Sequence, residues 1–130
     1  MKELLPPGWP RPKGYANGMA ARGRFVMTAG VVGWDEQERF QADSMAGQFE
    51  QALKNIVAIL ACDGAEPHRI MRMTCYVTSI DAYTASLAEI GAAWKDIIGR
   101  HYPAMALVEV VRLVEPKAMV EIEAMAVVPE

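Results

Sequence analysis

Cysteine and histidine are scarce in this chain, with two of each in 130 residues. Cys62 and Cys75 are too few for a disulfide framework, and neither sits at a metal-ligand spacing. Both read as reduced, buried, small apolar side chains, and for Cys75 either face of a sheet is open. His68 and His101 lie far apart with no Cys, Asp or Glu at ligand spacing, so no metal site is expected. His68 reads as a loop residue and His101 as a support for the turn before Pro103.

Long apolar runs are missing as well. None approaches the ~20 residues that cross a bilayer, and the N-terminus has no hydrophobic signal region. A cytoplasmic protein with no membrane contact is the expectation. Basic excess is also absent: 13 Lys+Arg against 16 Asp+Glu give a net charge of −3. A domain that grips phosphates is usually basic, so nucleic acid is not an expected partner. Gly14, Gly18 and Gly23 have the wrong spacing for a nucleotide fingerprint, and no Gly-x-Ser-x-Gly elbow occurs. The aromatic residues do not interleave with basic ones, as a single-strand binding surface requires.

What is present is apolar. Hydrophobic residues make up 52% and charged ones 22%, enough to bury one core, so residues 1–130 read as a single domain. Four prolines within Met1–Gly14 mark an irregular arm. Turn signals at Asn17-Gly18 and Arg22-Gly23 set off Met19–Ala21 and Phe25–Met27 as two tightly joined strands, followed by a bend at Gly30-Val31-Val32-Gly33. From Ser44 to Asp63 the period changes: Met45, Phe49, Leu53, Ile56, Val57 and Leu60 form a helical stripe, capped by Asp43 or Ser44 and stopped by Gly64. Met71, Met73, Cys75 and Val77 then alternate with Arg72, Thr74 and Tyr76 as a strand. A second helix is predicted from Asp81 to Ile98, with stripe residues Tyr83, Leu87, Ile90, Trp94 and Ile97 and a stop at Gly99. Tyr83 and Trp94 read as core, whereas Trp34 fits core or ligand contact. Two further strands, Met105–Leu113 and Ala118–Val128, complete an α+β layer of one sheet with two helices on a single face.

The last strand is the most informative. Ala118, Val120, Ile122, Ala124 and Ala126 form a small aliphatic face suited to packing under helices. Met119, Glu121, Glu123, Met125 and Val127 form the other. The preceding strand shows the same mixture, with Met105, Leu107, Val111 and Leu113 sharing a face with Glu109. Two helices cover only one side of a sheet, and soluble monomers rarely leave the other apolar side in water. A homo-oligomer that buries the second faces is therefore expected. Glutamates there are solvated or paired with Arg72 or Arg112, or serve chemistry by orienting a water.

His101-Tyr102-Pro103-Ala104 and Val120-Glu121-Ile122-Glu123-Ala124 resemble segments of the RidA/YjgF family of small trimeric proteins. Gly14-Tyr15-Ala16-Asn17-Gly18 is similar to that family's opening Gly-Pro-Tyr segment. Phe25-Val26-Met27-Thr28-Ala29-Gly30 resembles its second strand, and Gln51-Ala52-Leu53-Lys54-Asn55-Ile56 its Gln-x-Leu-x-Asn helix. The resemblance implies a chorismate-mutase-like α+β fold with one mixed sheet, assembled as a homotrimer whose sheets form a central barrel with three ligand clefts between subunits. No metal and no organic cofactor are implied. Active members hydrolyse reactive enamines and imines, such as 2-aminoacrylate, to a keto acid and ammonia.

One departure limits what carries over. Where such members have Pro-Ala-Arg, the arginine gripping the substrate carboxylate, this chain has Pro103-Ala104-Met105. Leu107 replaces a small polar residue, and Gly91 stands near a frequent asparagine. Glu121 matches the water-holding glutamate, and Tyr15 and Gly30 match cleft positions. Losing a bidentate charge-assisted pair costs on the order of 2–4 kcal/mol, roughly 30- to 1,000-fold. The expectation is a deaminase-type hydrolase for a larger, more apolar imine or enamine. It would use Glu121 as the catalytic group, with Tyr15, Gly30, Gly91, Met105 and Leu107 as substrate contacts. Arg22, Arg24, Arg72 or Arg112 can also be imagined reaching the cleft. The rivals are a non-catalytic trimer that binds a small ligand or partner, and a ribonuclease or translation inhibitor, which the acidic balance disfavours.

Overall fold

Helix α1 (Met45–Ala61) forms where the apolar residues recur every three or four positions. The Ser44 hydroxyl accepts from the Gly47 amide at 3.1 Å and so caps its start. Gly64, with φ of 73°, lets the chain turn away beyond its end. Met45, Phe49, Leu53, Ile56 and Leu60 are buried, and Val57 is half-buried at the edge of the stripe. The computed structural model describes all 130 residues.

The strands are β1 (Lys2–Leu4), β2 (Gly18–Ala20), β3 (Arg24–Met27), β4 (Val31–Val32), β5 (Ile70–Val77), β6 (Ala104–Glu109) and β7 (Val120–Val128). The main sheet is mixed and runs β3-β7-β5-β6, with β4 also paired to β7. Only β5 and β6 are parallel. The crossover between them carries α2 (Ile80–Ala85) and α3 (Leu87–Ile97) onto the side where α1 lies. Val120, Ile122, Ala124 and Ala126 of β7 and Met73, Cys75 and Val77 of β5 form the buried face under these helices. The α+β layer read from the sequence is therefore present.

Several elements differ from expectation, each for a local reason. The proline-rich arm is not wholly irregular: Lys2–Leu4 pairs antiparallel with Gly18–Ala20 as a separate two-stranded ribbon. Accordingly β2 and β3 are not a hairpin, since β2 pairs with the arm and β3 with β7. The second helix breaks at Ser86, whose hydroxyl donates back to the Ala82 carbonyl at 2.9 Å. A bulge between Ile70 and Arg72 puts Ile70, not Met71, into the core. Finally, β6 ends at Glu109 because its partner β5 ends at Val77. Val111 and Val114 beyond it are 98% and 93% exposed.

Candidate functional site

Registers across the sheet decide which predicted residues can meet. Met105 pairs with Met73, and Leu107 pairs with Cys75, which in turn pairs with Ile122. Partners in register share a face, so Met105 and Leu107 point to the helix side and pack against the core. Glu121 pairs with Tyr76 and Glu123 with Thr74, on the opposite face. This corrects the sequence reading that gave Met105 and Leu107 the same character as the glutamate face.

On the helix side, Met105 and Leu107 line a cavity of about 510 Å³. Tyr15 and Gly91 line it too, so four of the five expected contacts come together. The chain around Tyr15 is held there because the Ala16 amide donates to the Pro103 carbonyl at 3.0 Å and Ala16 bridges Ala104. Gly91 leaves open space toward α3's surroundings, since nothing lies within 4 Å of where its Cβ would be. Trp94 stacks on Tyr102, with ring centroids 6.1 Å apart and planes 7° from parallel, and its indole N–H donates to the His101 carbonyl at 3.0 Å. His101 also bonds the Ile70 carbonyl at 2.6 Å, which supports the turn before Pro103. Tyr83, whose hydroxyl is pushed above its ordinary range by burial, completes the wall with Phe49 and Ile90. Sequence reasoning assigned Tyr83 and Trp94 to the core alone; they bound both the core and the cavity. Their helical spacing cannot separate the two roles, because a cavity beside a core is lined by the same stripe.

Gly30 and Glu121 lie across the sheet from that cavity. A Cβ on Gly30 would stand 2.7 Å from the Glu121 Oε2 atom, so only glycine leaves the carboxylate where it is. Thr28 fixes this approach: its amide donates to the Ala124 carbonyl at 2.9 Å, and its hydroxyl accepts from the Ala124 amide at 3.1 Å. Asn55 of α1 anchors the far side by donating to the carbonyls of Val32 and Trp34 at 3.0 and 2.7 Å, and Gln51 donates to Asn55 at 2.8 Å. The Gln-x-x-x-Asn pair thus orients β4 beside Glu121.

The two glutamates have different surroundings. Glu123 accepts the Tyr76 hydroxyl at 2.5 Å. That bond, then burial and the nearby carboxylates, hold the Tyr76 hydroxyl above its ordinary pKa. Glu121 takes no hydrogen bond from the chain, and neither glutamate pairs with Arg72 or Arg112. Of the two carboxylates, Glu121 is the one left without a donor.

No arginine enters the helix-side cavity. Arg24 pairs with Asp63, Arg112 lines a separate groove beside Met119, and Arg72 is exposed on the Glu121 face. Cys75 is buried under the helices, and burial pushes its thiol up to about 12, which makes it inert as a nucleophile. Cys62 is not buried as the sequence suggests: it follows the last residue of α1 and is exposed. No group of three His, Cys, Asp or Glu side chains is placed to hold a metal ion. No helix is long and apolar enough to cross a membrane.

Comparison with known proteins places these features in a lineage. The endoribonuclease L-PSP family model matches residues 10–128. The 2-iminobutanoate/2-iminopropanoate deaminase of Salmonella typhimurium is 31% identical over 109 residues, spanning 81% of this chain and 80% of that protein. A Rid-family protein of unknown function from Yersinia pestis superposes with a TM-score of 0.83 at 26% identity, covering 98% of each chain. E. coli TdcF, solved with bound serine, gives a TM-score of 0.69 at 27% identity over 98% of this chain and 99% of that one.

Proposed function

We propose, from the premise that the chain belongs to the endoribonuclease L-PSP family, also called RidA/YjgF, that it is a cytoplasmic homotrimer that hydrolyses an apolar imine or enamine at clefts between subunits. The family includes a relative named as an imine deaminase. What supports the reading here is the placement of the site residues on two faces. Glu121 and Gly30 lie on one side of the sheet, and Tyr15, Gly91, Met105 and Leu107 lie on the other. No single subunit can present both sets to one small molecule. A trimer in which the Glu121 face of one copy closes over the cavity of its neighbour joins them. Phe25 and Met27, 63% and 65% exposed on the Glu121 side, are the apolar surface such packing would bury.

The chemistry then needs little. The substrate enters as an iminium, with its carbon against a water held by Glu121. As the water oxygen bonds to that carbon, the Glu121 carboxylate takes one water proton and returns it to nitrogen; as the C–N bond breaks, the same carboxylate takes the remaining hydroxyl proton and passes it to the departing ammonia. One iminium and one water give one ketone and one ammonium, so no cofactor is consumed. Met105 offers neither charge nor donor, which argues against small 2-imino acids as the preferred substrates.

The test is hydrolysis of an imine generated in place, for instance from leucine by an amino-acid oxidase, with semicarbazide trapping whatever survives. The native protein should deplete the trapped imine, and Glu121→Gln, still assembled, should lose about 100-fold or more of that rate. Equal rates for the two would remove Glu121 from the reaction. Met105 also favours a second reading, a non-catalytic binder, which the same assay identifies if ligand is held and never consumed. The family's ribonuclease name forms no part of the proposal, since a net charge of −3 offers RNA no basic track.

A further inference from the structure

The helix-side cavity carries its charge unevenly. Of the thirteen residues that line it, only Lys13 and Lys95 are charged, and both are cations. Neither is spent on an ion pair, because the five pairs in the chain use Arg11, Arg24, Arg39, Lys54 and His68 as their basic partners. Lys95 follows Leu87 and Gly91 at successive four-residue steps along α3, so the three share one edge of the helix. Gly91 leaves the middle of that edge open. Lys13 sits across from it, three residues before Ala16, whose amide bond to Pro103 pins the chain beside β6. Both lysines are exposed, whereas Phe49, Ile90 and Trp94 below them are buried, so the cations stand at the rim of an apolar chamber. Five rings line that chamber: Tyr15, Phe49, Tyr83, Trp94 and Tyr102, half of the chain's 3 Trp, 4 Tyr and 3 Phe.

We infer that this cavity binds an amphipathic carboxylate, with an aromatic or bulky apolar body among the rings and the carboxylate between Lys95 and Lys13 at the rim. The lysines supply the anion recognition for which Met105 has no donor, and they supply it farther out. A ligand then needs apolar length between its carboxylate and the chamber, which a two- or three-carbon imino acid lacks. The assignment of this molecule as a substrate rests on the function proposed above; its binding does not.

Calorimetric titration of the assembled native chain with phenylpyruvate, pyruvate and phenylacetone, the neutral analogue of phenylpyruvate, tests the inference. Phenylpyruvate should bind on the order of 100-fold more tightly than pyruvate, because only it buries a ring. It should also bind roughly fivefold or more tightly than phenylacetone, because only it meets the lysines. The Lys13→Met/Lys95→Met double variant, with both changes at exposed positions, should erase the second preference and leave phenylacetone binding unchanged. No binding of phenylpyruvate, equal binding of pyruvate, or a preference for the acid that survives the double variant would overturn the inference. Intact phenylpyruvate preference with no imine hydrolysis would instead remove the hydrolytic reading and leave this one standing.

Discussion

A methionine at position 105 gives the cavity bulk and polarisability but no fork for a carboxylate. Its side chain is half-buried against the core and faces the chamber, so an arginine can follow the same path with its head toward the ligand. Met105→Arg should therefore raise hydrolysis of small 2-imino acids, by roughly 30- to 1,000-fold if a full bidentate pair forms. Unchanged rates on 2-iminopropanoate would show that the missing cation is not what sets substrate choice. Glu121 and Glu123 show how close neighbours acquire different duties. They are two positions apart on one strand face, yet Tyr76 donates to Glu123 alone and leaves Glu121 without a donor. Composition cannot tell them apart; the reach of one tyrosine hydroxyl does.

Helix α1 is the element that holds both halves of the proposed site, and it does so through polar side chains. Gln48, 1% exposed, donates to the carbonyls of Ala42 and Lys117 at 3.1 and 3.0 Å and accepts from the Met119 amide at 2.8 Å. It ties the start of α1 to the loop that enters β7. Gln48→Leu keeps the volume but leaves three backbone groups without their partner, and should cost about 2–4 kcal/mol in denaturant unfolding at fixed protein concentration. Lys54→Ala, whose ion pair with Glu50 is exposed, should stay within about 0.5 kcal/mol. A Gln48→Leu protein as stable as the native one would mean those groups find water instead. Gln48 also marks a limit of sequence reading. The stripe of α1, its Ser44 cap and the Gly64 stop are legible because each follows from periodicity or backbone geometry within a few residues. A buried glutamine inside that stripe is not, because two of its three partners lie 69 and 71 positions away. The β1–β2 ribbon escapes for the same reason, as prolines between its strands hide a pairing made across the arm. The kink at Ser86 was hidden by an apolar stripe that runs through it unbroken.

For the whole molecule, the sheet divides the candidate residues. Tyr15, Gly91, Met105 and Leu107, which the family resemblance suggests, line one cavity. Lys13 and Lys95, which line it too, carry no signal in the sequence, since an exposed lysine has no pattern that distinguishes it from a solvated one. That Glu121 faces away from the cavity follows only from register, and a strand's sequence does not say which neighbour it pairs with. The proposed account therefore depends on copies of the chain meeting through the Glu121 face, where Phe25 and Met27 stand in water on an isolated subunit. Sedimentation equilibrium at micromolar concentration tests this most directly. The account predicts a species of three times 14.3 kDa for the native chain, and loss of that species when Phe25 and Met27 are both changed to Asp. A native chain that sediments as a single 14.3 kDa subunit would contradict it.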